Sequence, residues 1–231
     1  NVDAFGAGLD VDISEVRIYL AVRELAHARL FRHARWLRLA LLTQITDFAR
    51  GIHIDTGRIA ELAENFDPQN PEELRTAVQN GAFIPEKTGE QTAALGRLET
   101  MLALIEGWVD VVTQAATSRL PHSGAIAEMV RRRRASGGPA EQAFATLVGL
   151  ELRPRRLREA AAMWQAVMDA VGDDARDALW SHPDLIPEDT DIDDPAALVT
   201  RLTGGEPERD EIDKAIEELL DDTTGDRPHE E

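Results

Sequence analysis

The chain of 231 residues has no cysteine, which excludes disulfides and thiolate metal sites. It has little lysine, since 23 of its 25 basic residues are arginine; this fits a GC-rich coding bias and carries little functional weight. No apolar run is long enough to span a membrane, and the N-terminus has no basic region followed by an apolar core. The reading is therefore a soluble, cytoplasmic protein with no membrane partner. Gly-rich phosphate loops, internal repeats and strand-like alternation are also missing, which leaves a mainly α chain. Helical segments joined by short Pro/Gly-containing connections favour one body, residues 1–204, with an appendage of an acidic helix and a disordered tail over 205–231.

What is present is most informative at Arg23-Glu24-Leu25-Ala26-His27. Val16, Leu20, His27, Leu30 and Phe31 recur at helical spacing, and Asp12 with Glu15 makes a capping-box start. Arg23, Glu24 and His27 then border the apolar stripe, where polar side chains need partners. The segment reads as H-E-x-x-H with arginine in the first position. In the intact motif, two histidines one turn apart ligate one zinc, and the glutamate is the general base for its water. Arg23 cannot be such a ligand, because a guanidinium stays protonated and offers only donors.

A second long helix is expected from Glu90 to Ser118, opened by a Thr88/Gln91 capping box. Its stripe is Leu95, Leu98, Met101, Leu102, Ile105, Val109 and Val112, with Glu106 and Asp110 one turn apart beside it. Glu-x-x-x-Asp is the spacing by which zinc peptidases carry a glutamate ligand and a carboxylate that orients a metal-bound histidine. A further helix follows Pro154 through Leu157, Ala160, Ala161, Trp164 and Val167, and Asn65–Pro71 and Asn80–Pro85 read as loops.

These residues, with Trp36-Leu37-Arg38, Ile105-Glu-Gly-Trp-Val-Asp110, Arg131 to Pro139, Leu147 to Arg158 and Arg176 to Pro187, resemble the actinobacterial branch of the zincin-like metallopeptidase type 2 family, whose members are labelled hydrolases or zinc-dependent metalloproteases. The resemblance covers roughly Ile13 to Leu198. It implies a zincin-like helical fold with the R-E-x-x-H helix packed against the E-x-x-x-D helix. It also implies Glu24 at the general-base position and His27 and Glu106 at metal-ligand positions. Other branches carry histidine where Arg23 and Trp108 stand, so the ligand set is incomplete. Arg23 and Asp110 are expected to form a replacement or supporting cluster, with Arg23 bonded to Glu106, Asp110 or both. His182, in Trp180-Ser-His-Pro-Asp184, is a possible extra ligand, although a Pro-terminated helix end with Trp180 in the core also explains it. His33, His53, His122 and His229 lie outside any ligand spacing.

Charge completes the picture. Of the net −18, residues 184–231 carry −14, leaving a nearly balanced body. That acidic region reads either as a solvating tail or as a docking helix for a protein or peptide partner. Upstream, nine arginines lie between Arg119 and Arg158, including the run Arg131 to Arg134. A net-negative chain with few aromatics nearby does not suit nucleic acid, so these arginines are expected to hold carboxylates of the protein itself. The resulting expectation is a degenerate centre without cofactor, used for structure or binding. The alternative is an active zinc-dependent hydrolase with an altered ligand set.

Overall fold

A computed structural model describes residues 10–50, 88–136 and 156–204. Among these residues there is no strand. The elements are α1 (Ile13–His33), α2 (Leu37–Arg50), α3 (Gly89–Ala116), α4 (Ser123–Ser136) and α5 (Leu157–Ala178), then a 3-10 turn (Pro183–Leu185), α6 (Asp189–Asp193) and α7 (Pro195–Leu202). The loops expected at 65–71 and 80–85, Pro154 and the segment 205–231 lie outside the described residues.

Helix α3 is the central element. Its Thr88 cap works in both directions: Gln91 N donates to Thr88 Oγ1 at 3.1 Å and Thr88 N donates to Gln91 Oε1 at 3.0 Å. The sequence suggests one apolar stripe, yet every residue from Ala103 to Asp110 is buried, because α1, α2, α4 and α5 all pack on α3. Small residues make that possible. A Cβ on Gly107 would lie 2.7 Å from Ala161 N and 2.8 Å from the Ala160 carbonyl carbon, so α5 crosses α3 on bare backbone.

Around that crossing the four tryptophans of the chain gather. Trp164 stacks on Trp180 with centroids 5.5 Å apart, and Trp108 meets Trp180 edge-on at 6.5 Å. Trp164 Nε1 donates to Leu104 O at 2.9 Å, and Trp36 Nε1 to Trp180 O at 3.0 Å. These bonds let large rings enter the core without leaving most of their N–H groups unpaired. Trp180 is fully buried, as its place before a Pro-terminated helix end suggests.

Helix α1 departs from the sequence reading in its facing. Its buried stripe is Val16, Tyr19, Arg23, Ala26 and Leu30, one step round from the expected one, and Phe31 is exposed. The apolar pattern misleads because Arg23 and the small Ala26 occupy contact positions. The N-cap differs as well. Asp12 accepts from Ser14 N at 2.8 Å, while Glu15 does not close a capping box but reaches across to His122, accepting from its N and facing its Nδ1, both at 3.0 Å. At the other end of the chain, Asp194 caps α7 by accepting from Ala197 N at 3.1 Å, with Pro195 in the first turn where its missing N–H is harmless.

Candidate functional site

Helices α1, α3 and α4 meet at the carboxylate of Glu106, which lies within the buried belt of α3. Arg23 Nη2 donates to Glu106 Oε2, and Arg134 Nη2 donates to Glu106 Oε1. His27 lies one turn beyond Arg23 on α1, and its Nε2 is 3.5 Å from Glu106 Oε1. The spacing of α1 explains this pairing, since residues four apart share a face and Arg23 lies in the buried stripe. Each oxygen of Glu106 is thus held by a separate guanidinium.

The other imidazole nitrogen sets the state of His27. Nδ1 lies 3.1 Å from Arg23 O, a carbonyl that only accepts, so Nδ1 carries a proton. Nε2 then either presents its lone pair towards Glu106 or, if protonated, donates to it. Burial pushes the Glu106 carboxyl up, but the His27 bond and the Arg23 and Arg134 charges outweigh it and hold the group at about 2. Glu106 is therefore a fixed anion at neutral pH.

Asp110, one turn along α3, has a separate environment. Its Oδ2 accepts from Arg131 Nε at 3.2 Å and from Gln114 Nε2 at 2.7 Å. Burial raises its pKa despite the nearby arginines. The expected choice of Glu106, Asp110 or both for Arg23 resolves to a bond with Glu106, while Arg131 serves Asp110. Tyr19 faces the same region with a fully buried hydroxyl that has no hydrogen-bond partner among the described residues; burial, reinforced by Asp110, pushes its phenol up to about 12.

The remaining predicted positions are less central. Glu24 stands at the rim with its side chain 73% exposed, and its carboxylate is 3.9 Å from Arg23 Nη1. His182 begins the 3-10 turn, where its Nδ1 accepts from Asp184 N at 3.3 Å; the imidazole is used locally as a cap. Among the described residues, no three His, Cys, Asp or Glu side chains form a group that could hold a metal ion.

Sequence reasoning missed two partners. Arg134 was expected to hold a carboxylate of the protein itself, but Glu106 was not singled out as that carboxylate, although the i, i+3 spacing of Arg134 from Arg131 matches the i, i+4 spacing of Glu106 and Asp110 across the helix contact. The cluster does hold carboxylates of the protein itself: Arg131 and Arg132 also reach Glu128 at 3.4 and 3.1 Å, and Arg156 holds Asp189 and Asp193 of the acidic region. The second miss is Asp177, which accepts from Trp108 Nε1 at 2.9 Å, Arg29 Nη2 at 2.7 Å and Arg176 Nη2 at 2.7 Å. Arg176 also lies 5.7 Å from the Trp108 ring centroid. Trp108 thus brings an indole N–H, bonded to a carboxylate, to the position after Glu106-Gly107.

No helix of the described residues is long and apolar enough to cross a membrane. No curated protein and no solved structure matches the chain. A family profile described as zincin-like metallopeptidase matches residues 1–199, and with most of its length so matched the chain belongs to the zincin-like metallopeptidase family.

Proposed function

We propose that this member of the family carries a degenerate zinc centre, in which a carboxylate–guanidinium cluster takes the place of the metal and serves a structural or binding role. The observation that carries the proposal is the capture of both Glu106 oxygens by Arg23 and Arg134. A zinc site of this type needs three protein ligands and an open position for water. Among the described residues the donor set is His27 and Glu106, the position one turn before His27 is a permanent cation, and a second cation faces the same carboxylate. These residues do not fit a zinc ion. A guanidinium supplies the positive charge that a buried carboxylate requires, but it has no Lewis acidity to activate a water. Glu24, out at the rim, then has no bound water to deprotonate.

One observation favours the second reading, an active zinc-dependent hydrolase with an altered ligand set. The Nδ1–H of His27 bonded to a backbone carbonyl is the tautomer that metal-ligating histidines adopt, and it turns Nε2 towards Glu106. The 3.5 Å between Nε2 and Oε1 is close to the roughly 3.4 Å that separates two ligands of one tetrahedral zinc. Such a centre would still need Arg23 to turn away and a third ligand to arrive.

Elemental analysis of protein purified without chelator separates the two. The expected result is no stoichiometric zinc, with one-to-one uptake gained by Arg23→His. Stoichiometric zinc in the unmodified chain, lost on His27→Ala, would overturn the proposal.

A further inference from the structure

On the side of α3 away from Glu106 lies a cavity of about 820 Å³ that shares no lining residue with the Glu106 cluster. Its apolar floor includes Met101, Leu104, Ile186 and Pro187. Leu104 and Glu106 are two residues apart on one helix, and so point roughly 200° apart. The cavity can therefore be occupied or blocked without touching Arg23, His27 or Arg134.

Three observations say what the cavity suits. The first is charge. Among the described residues, Glu99, Asp184, Glu188 and Asp189 line it against Arg97 and Arg156, and Arg156 already bonds Asp189 and Asp193. The lining therefore presents a negative rim above an apolar floor, a combination that attracts a cation with an apolar body.

The second is Gly96, in the interior of α3. A glycine there costs the helix about 1 kcal/mol relative to alanine, which needs a reason. Gly107 has one, since α5 packs on it, but a Cβ on Gly96 would meet nothing within 4 Å. No packing contact among the described residues requires Gly96; what its missing side chain leaves open is the cavity wall.

The third is Gln44 of α2, which lines the cavity and whose Oε1 has no hydrogen-bond partner among the described residues. Solvent does not reach that oxygen, so an N–H donor in the cavity meets it only if the Gln44 amide turns, which would relieve a cost of about 1–3 kcal/mol. Opposite, the wall is already ordered. Pro183 and Pro187 fix the backbone, Leu185 N donates to His182 O at 3.1 Å, and Asp191 N donates to Glu188 O at 3.1 Å. Little order has to be imposed on binding, which favours affinity.

We infer that this cavity docks a basic segment of a partner protein, an apolar side chain entering between Met101 and Ile186 while flanking arginine or lysine side chains meet Glu99 and the carboxylates of residues 184–189.

The test uses the full chain and fluorescein-labelled peptides built on Arg-Leu-Arg, Glu-Leu-Glu and Arg-Gly-Arg, followed by fluorescence anisotropy. Arg-Leu-Arg should bind one-to-one and lose affinity with added salt, with the other two weaker by at least about tenfold. Gly96→Trp, which fills the cavity, should weaken Arg-Leu-Arg by a similar factor, whereas Gly96→Ala should bind it and melt higher. Glu99→Gln leaves the cavity open and should weaken binding even if the tryptophan variant folds poorly. Arg23→His should bind like the parent, so the outcome is independent of the metal question. Absence of Arg-Leu-Arg binding at millimolar concentration, equal binding of Glu-Leu-Glu, or binding unchanged by both Gly96→Trp and Glu99→Gln would overturn the inference.

Discussion

Replacing Arg23 with methionine tests the central ion cluster directly. The change removes the charge and the bond to Glu106 Oε2 while keeping an unbranched side chain that suits the buried stripe of α1. Breaking a buried pair from one side costs about 3–5 kcal/mol, because the remaining charge is left uncompensated. Glu106 keeps Arg134 and His27, so the lower end applies, about 3 kcal/mol. For a body of this size that corresponds to a fall in Tm of roughly 6–12 °C. Urea denaturation at pH 7 measures the loss, and a double-mutant cycle with Glu106→Gln separates pairing from packing. If the cluster stabilises through charge, Arg23→Met should be far less damaging in the Glu106→Gln background. A loss below about 1 kcal/mol, or strict additivity of the two substitutions, would refute the argument.

Acid should act through the same carboxylate. Glu106 titrates near 2 in the folded chain against 4.5 ordinarily, so its stabilisation, about 3 kcal/mol, is complete above pH 4.5 and is lost as pH falls towards 2. Arg23→Met should flatten that limb of a stability-versus-pH curve. Asp110 is shifted the opposite way, with burial raising its pKa, so Asp110→Asn should cost much less than Glu106→Gln when both are melted at pH 7. Gly107→Ala should destabilise by about 1–3 kcal/mol, since its Cβ meets Ala160 and Ala161 backbone at under 3 Å and only a shift of α5 relieves the clash; a calorimetric Tm equal to the parent's would contradict that crossing.

The helices were legible where local chemistry acts alone. Thr88/Gln91 closes a capping box, and the pattern from Leu157 gives α5, because caps and periodicity are properties of a few consecutive residues. Facing was harder to read. On α3 a one-sided stripe was readable, but burial on all sides depends on how many neighbours arrive, and on Gly107 and Ala103 letting them approach. On α1 the buried stripe includes an arginine, so hydrophobic periodicity alone points one step away from the true face. Arg134 could not be matched to Glu106 because that pairing needs the angle between α3 and α4, which no local pattern carries.

On the reading of a degenerate centre, the two carboxylates of the E-x-x-x-D pair mark where the chemistry of this chain would leave the family motif. A metal would bind both groups into one site, the first as ligand and the second as support for a histidine. Here each has its own guanidinium: Glu106 is held low by Arg23, Arg134 and His27, while Asp110 is left high beside Arg131 and Gln114. The two groups are thus shifted in opposite directions, by different partners, one turn apart on α3. Arg23→His would remove one of the two guanidiniums on Glu106 and leave Arg134 in place, so Arg134→Gln alongside it should raise zinc affinity beyond that of Arg23→His alone. If Arg134 instead proved indifferent in isothermal titration with zinc, its bond to Glu106 would be incidental, and the cluster would rest on Arg23 alone.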